Sequence, residues 1–241
     1  MKGDQLALAV QLNPVPSFQN FFAGPNRLAL ETVQQVVRAG GPAALYLYGA
    51  AASGKSHLLK AAAGDDPVLL SLNDSGQCAR LHDPALDAAP LLALDDIEPA
   101  LADPDAALRL LRLLDRRRQQ GRALLVAARS APARLPVALP DLRTRLESMV
   151  LLGLKPLGEE HRRELLRLQA QARGLELAAD AVSWLLNRLP RDAGSLIAAL
   201  ERVDRASLSA QRRPTVPFLQ QVLTPVSPPP PGHESARTSS G

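Results

Sequence analysis

Aromatic residues make up only 3% of this 241-residue chain, with one Trp, two Tyr and four Phe. Leu and Ala carry the apolar load instead, which favours helices over an all-β design. A single cysteine, Cys78, excludes an internal disulfide, and nothing in its surroundings suggests a nucleophile. There is no run of about 18 apolar residues and no basic-then-apolar leader, so the expectation is a cytoplasmic protein with no membrane contact. Neither sign of charge dominates, since 28 Lys and Arg stand against 24 Asp and Glu, a net charge of +4. The densest basic patch, Arg116-Arg117-Arg118, is expected to be a solvated helix end whose charge suits the helix dipole. No CxxC…HxxxH finger is present, and no room remains after the last expected helix for a helix-turn-helix, which argues against direct DNA binding.

What the chain does have is 46% hydrophobic residues, enough for a sizeable core, and one stretch that organises the rest. Ala44 to Tyr48 reads as a buried strand, and Gly49-Ala50-Ala51-Ala52-Ser53-Gly54-Lys55-Ser56 follows it as a phosphate-binding loop. Gly49 and Gly54 permit a tight turn whose amide groups face phosphate oxygens, and the next helix offers the positive end of its dipole. Lys55 is expected to reach the β- and γ-phosphates, and the Ser56 hydroxyl to ligate Mg²⁺. With His57, the first residue of the helical run to Ala63, these form the expected cofactor-binding set for ADP or ATP.

Further along, Pro90 introduces Leu91-Leu92-Ala93-Leu94-Asp95-Asp96, a buried parallel strand that ends in two acids. Asp95 is assigned to Mg²⁺, directly or through water, and Asp96 to orientation or activation of an attacking water. Other strands are expected at Pro67 to Leu72, Arg122 to Ala128 and Met149 to Leu154. Asn26 should cap a helix running to about Arg38, with Gly40-Gly41 as its stop. A short helix is expected over Gly76 to Leu81. Asp103-Pro104 opens a helix to about Gln120 with Leu108, Leu111 and Leu114 in the core, and Leu139-Pro140-Asp141 caps another ending near Glu147. Strands alternating with helices argue for an α/β fold with a parallel sheet. From Gly158 the strands cease. Helices over Glu159 to Arg173 (with Leu165, Leu166 and Leu168 inward), Asp180 to Leu189, Asp192 to about Gln211 and Thr215 to Leu223 make a small all-helical domain. The expected organisation is an extended arm at 1–16, an α/β nucleotide-binding domain at 17–157, a helical lid at 158–223 and a disordered Pro-rich tail at 224–241.

These features together resemble an AAA+ ATPase module. More narrowly, the chain resembles the family of the bacterial replication initiator DnaA, and especially its short relatives of the Hda type, the regulatory inactivators of DnaA. The resemblance runs from Gln5 to about Leu223. It is carried by Phe18-Gln19-Asn20-Phe21 with Gly24 and Asn26, Tyr46-Leu47-Tyr48-Gly49, Ser56-His57-Leu58-Leu59, Leu94-Asp95-Asp96-Ile97, Leu139 to Leu146 and Arg173-Gly174-Leu175-Glu176-Leu177. DnaA carries a DNA-binding domain after the lid, and its absence here selects the Hda-like reading. The resemblance implies that Gln5, Leu6, Leu8 and Val10 dock in the hydrophobic pocket of the DNA sliding clamp (the β subunit), although Ala9 stands where family members often have Pro. It also implies that Arg145 is an arginine finger acting on a partner's nucleotide, with Arg143 as the competing position.

Two departures from the family pattern bear on function. Ala127 and Ala128 occupy the positions where a polar sensor should face the γ-phosphate, leaving Arg129 or Ser130. In the lid, Gly194 stands where relatives place a nucleotide-sensing arginine, leaving Arg191. Without either sensor, intrinsic hydrolysis should be weak and ATP poorly distinguished from ADP. The expected function is a regulatory adaptor that docks on the clamp and stimulates ATP hydrolysis by DnaA, touching DNA only through the clamp, with a homodimer or oligomer as one expected state. The alternative is an autonomous AAA+ ATPase acting as a loader or remodeller in replication.

Overall fold

Residues 15–64 and 68–223 are described by the structure, a computed structural model. Gln5 to Val10, expected from the sequence to dock on the clamp, and the tail expected at 224–241 lie outside them. The chain divides into two units, Met1–His161 and Arg162–Gly241, a few residues beyond the boundary expected at 157.

The first unit is built on five strands, β1 (Ala44–Tyr48), β2 (Val68–Ser71), β3 (Leu91–Asp95), β4 (Ala123–Ala128) and β5 (Val150–Gly153). All neighbours pair in parallel, in the order β2-β3-β4-β1-β5. Every residue of the central strand β4 is buried, which is why its sequence is an unbroken apolar run. Successive side chains leave the sheet on opposite faces: Leu124, Val126 and Ala128 join one apolar cluster, Leu125 and Ala127 the other.

Helices α1 (Arg27–Ala39) and α2 (Lys55–Ala63) supply the cluster that contains Leu125, through Ala29, Val33, Leu58 and Leu59. The other face is covered by α3 (Ser75–Ala79), α4 (Ala85–Ala88), α5 (Glu98–Ala102), α6 (Pro104–Gln119) and α7 (Pro140–Glu147). Helices α4 and α5 were not expected, because four or five residues are too few to display a helical period. α3 ends at Ala79 and passes into a 3-10 turn, Arg80–His82, so the single helix expected to Leu81 is two elements.

α6 begins as its sequence predicts, with the Asp103 carboxylate accepting from Ala106 N at 2.6 Å and Pro104 at the first helical position. Its inward face differs from the expected one. Ala106, Ala107, Leu110, Leu113, Leu114 and Arg117 are buried, whereas Leu108 is 39% exposed and Leu111 half-buried. Leucines occur on more than one side of this helix, so periodicity alone does not fix its rotational phase. Burying Leu110, Leu113 and Leu114 contributes roughly 1.5–3 kcal/mol each.

The basic run at the end of α6 is also corrected. Arg117 is fully buried, and its guanidinium donates to the carbonyls of Leu86 (3.0 Å), Ala89 (2.6 Å), Pro90 (3.3 Å) and Ala123. Burial, with the charge of Arg122 adding to it, pushes its pKa down to about 10, so it stays charged at neutral pH. Arg116 pairs with Asp87 at 2.9 Å, and of the three only Arg118 is exposed. Asn26 departs from expectation too. It stands at the N-cap of α1 without a capping bond, and its buried amide donates to Lys155 O at 2.9 Å and accepts from Lys155 N at 2.8 Å. It thus pins the segment after β5 rather than the helix.

The second unit is all helical: the greater part of α8 (Glu159–Ala172), then α9 (Ala179–Arg188), α10 (Ala193–Ala210) and α11 (Val216–Leu223). Leu165 and Leu166 point inward as expected, but Leu168 is 49% exposed, because it lies two positions past Leu166 and nearly opposite it on the helix. Asp192 caps α10 by accepting from Ser195 N at 2.7 Å. No described helix is long and apolar enough to cross a membrane.

Candidate nucleotide-binding site

The loop at the C-terminal end of β1 is held from three sides. Gly49 N donates to Ala128 O at 3.3 Å, joining the loop's start to the end of β4. A Cβ on Gly49 would fall 2.3 Å from Leu154 O, so backbone from the end of β5 leaves room only for glycine. Gly54 adopts φ +101°, and a Cβ there would meet the Phe21 ring at 2.8 Å. Phe21 also stands edge-on to His57, with ring centroids 5.3 Å apart, so the segment before α1 forms one wall of the loop.

Within this frame the Lys55 ammonium is turned into the loop, donating to Gly49 O at 2.7 Å and Ala50 O at 3.0 Å. It is 6% exposed, and burial lowers its pKa against the opposing pull of Asp95, Asp96 and Glu98. The Ser53 hydroxyl is buried in the same loop with no hydrogen-bond partner among the described residues. A buried lysine satisfied only by carbonyls, and an orphaned hydroxyl beside it, fit a place for an anionic phosphate. His57 does not face the loop interior in the way Lys55 does. Its Nε2 lies 3.0 Å from Ser17 O, which makes Nε2 the protonated nitrogen of the neutral ring, and burial lowers its pKa.

Asp95 ends β3 beside this loop, 6% exposed and hydrogen-bonded to the Ser56 side chain. Burial raises its pKa, while the Ser56 bond, the Asp96 amide and the Lys55 charge lower it. The backbone turns sharply here: Asp96 has φ +49°, and its N donates to Asp95 Oδ1 at 3.0 Å. Two adjacent protein oxygens, from Ser56 and Asp95, suit Mg²⁺, which takes its remaining ligands from phosphate and water. Among the described residues no group of three or more His, Cys, Asp or Glu could hold a metal by itself.

The positions expected to lack a sensor are filled by packing. Ala127 and Ala128 are fully buried and offer the site only backbone, Ala127 O accepting from Ile97 N and Ala128 O from Gly49 N, both at 3.3 Å. Arg129 is exposed, and its N–H donates to the Glu98 carboxylate. Glu98 was not singled out from the sequence. Its signal was an acid three residues after Asp95, at the start of the unexpected helix α5. In the lid unit Gly194 follows the capping Asp192, and Arg191 is exposed.

Arg145 lies at the other edge of the sheet. It lines a cavity with Pro42, Ala43 and Arg122, the residues that precede β1 and β4, while the phosphate loop follows β1. The length of β1, at about 3.3 Å per residue, keeps this edge some ~15 Å from the loop, so Arg145 does not reach its own chain's loop. Its Nη2 is 2.6 Å from Asp115 Oδ1. Arg143 instead turns inward, donating to Ala133 O at 3.4 Å and Leu135 O at 3.3 Å.

Comparison with known proteins agrees with this architecture. Residues 159–223 match the family model described as the Hda lid domain. Domain III of the Thermotoga maritima replication initiation protein DnaA is similar in structure, with a TM-score of 0.71 at 19% identity over 88% of this chain and 96% of that one. DnaA from Aquifex aeolicus, described as AMPPCP-bound, gives 0.68 at 20% identity over 83% and 68%. RuvB from Thermotoga maritima gives 0.62 at 16% identity over 86% and 71%. The chain thus shares the fold of the DnaA domain, a parallel five-stranded sheet followed by helices, and its residues 159–223 match the Hda lid model.

Proposed function

We propose that the chain is a nucleotide-binding regulator of replication initiation, whose own loop holds ADP or ATP and whose catalytic effect falls on the nucleotide of DnaA. One observation carries the reading: the phosphate loop and Arg145 lie at opposite edges of one sheet, the arrangement needed to hold one nucleotide and act on another. Gly49 and Gly54 shape the turn whose remaining backbone amides meet the phosphates, Lys55 offsets their charge, and His57 fixes the wall that closes over Gly54. Ser56 and Asp95 would hold Mg²⁺, and Asp96 would orient a water. Bound Mg²⁺ would neutralise phosphate charge and fix its geometry. With alanine at both sensor positions of β4, no side chain on that strand tracks the γ-phosphate, and turnover in the chain's own loop stays slow.

Arg145, released from Asp115, supplies a guanidinium to the phosphates of a neighbouring DnaA, where such a group is worth several orders of magnitude in rate. Gln5, Leu6, Leu8 and Val10 bring the chain to the sliding clamp. The deciding experiment measures ATP hydrolysis by DnaA with and without this protein and DNA-loaded clamp. Stimulation should vanish in Arg145→Ala while clamp binding persists, and deletion of residues 1–12 should abolish clamp binding in a pull-down. Stimulation that survives Arg145→Ala refutes the finger. Autonomous turnover at about 1–10 per second, eliminated by Asp96→Asn, would establish an independent ATPase instead.

A further inference from the structure

The cavity at the N-terminal edge of the sheet has a chemistry of its own. It encloses about 280 Å³, and of its twelve lining residues four are arginines and none is acidic. Arg118 and Arg122 sit on the exposed side, while Leu124 and Met149 give the cavity an apolar wall. Arg117 and Arg145 each keep a buried Nε without a hydrogen-bond partner among the described residues, and Arg117 is wholly buried. The nearby carboxylates are already engaged, Asp115 by Arg145 and Asp87 by Arg116. The charge of Arg122 is felt at Arg117, where it lowers the pKa further than burial alone.

A concave, apolar-walled site lined by more arginines than its neighbouring carboxylates offset focuses an attractive field on anions. Guanidinium groups bind phosphate through short, charge-assisted and often paired hydrogen bonds. An apolar wall adds nothing to the capture of a bare inorganic ion, but it holds the body of an organic one. A volume near the lower end of ligand pockets limits that body to about one ring.

We infer that this cavity is a binding site for a small organic phosphate, its charge met by Arg118, Arg122 and Arg145 and its apolar body laid against Leu124 and Met149. The site is separate from the phosphate loop, which follows the opposite ends of the same strands. It does not depend on Arg145 acting on another chain. Because Arg145 is shared, an anion seated here competes with Asp115 for its guanidinium.

The chain has two methionines, Met1 and Met149, so methyl labelling of methionine places one reporter in the cavity wall and one at the terminus as reference. The full-length protein, saturated with Mg²⁺ and ADP, is titrated with phenyl phosphate, and with phenol as the neutral counterpart. The Met149 methyl should shift saturably with phenyl phosphate and not with phenol, with the Met1 signal unmoved. Arg118→Gln, at an exposed residue whose side chain makes no bond among the described residues, should weaken binding about tenfold, and Arg118→Gln/Arg122→Gln further still. An unresponsive Met149, equal shifts with phenol, or undiminished affinity in the double variant would each overturn the proposal. Failure of the phosphate loop would appear separately, as failure of ADP to bind, and the Met149 titration would remain readable.

Discussion

The Arg145 guanidinium is held by Asp115, Nη2 to Oδ1 at 2.6 Å, tying the last turn of α7 to α6. Both side chains are about one-third exposed, 29% and 37%. An ion pair in such a setting contributes about 0–1 kcal/mol, and Arg145 must leave it to meet a phosphate. Asp115→Asn should therefore raise the stimulation of DnaA hydrolysis by up to about fivefold, with no change in nucleotide binding by the chain itself. A loss of stimulation in this variant would show that Asp115 aims Arg145 rather than restrains it.

Arg117 joins α6 to the segment before β3 and to the start of β4 through four carbonyls. Arg117→Met keeps the bulk and removes every donor, leaving buried acceptors unpaired at a cost of ~3 kcal/mol or more in urea unfolding. Arg117→Lys should recover little, because one ammonium cannot span the guanidinium's fork. Arg118→Gln, by contrast, should change stability by less than about 0.5 kcal/mol.

Gly54→Ala would set a methyl 2.8 Å from the Phe21 ring at a left-handed backbone position. The strain should lower stability by ~1–3 kcal/mol and weaken ADP binding, as read by a thermal melt with and without nucleotide. Adding Phe21→Ala should relieve the clash but not the backbone strain, so the double variant should recover only part of the affinity.

His57 gives the protein a pH dependence of known sign. Burial holds its folded pKa below the unfolded value of 6.5, despite the Ser17 bond that raises it. Between those two values the unfolded chain binds more protons, so this contribution to stability is present above 6.5 and is lost as pH falls through the folded pKa. His57→Gln should flatten the fall in urea midpoint between about pH 7 and pH 5. An unchanged slope would place the pH dependence on other groups.

The turn between β1 and α2, the strand ending at Asp95 and the alternation of strands with helices were legible because each is local. A turn that needs glycine, an apolar run with an acid at its end, or a proline after a capping aspartate is written within a few consecutive residues. The helical lid was legible for the same reason. Leu108, Leu168, Arg117 and Asn26 were misplaced because their surroundings come from elsewhere in the chain. The phase of a leucine-rich helix depends on which neighbour covers it. The solvent exposure of Arg117 depends on carbonyls that β3's approach and β4 bring to it.

The sequence by itself therefore determined the fold class and the position of the glycine-bounded loop after β1, which follow from backbone freedom and residue type at short range. Only the tertiary structure decided how charge is distributed. Parallel strands send the residues that precede them to one edge of the sheet and those that follow them to the other. That places Lys55, Asp95 and Glu98 together at one edge and Arg118, Arg122 and Arg145 around a cavity at the opposite edge. No local pattern carries such a grouping, because its members meet only when the sheet has formed.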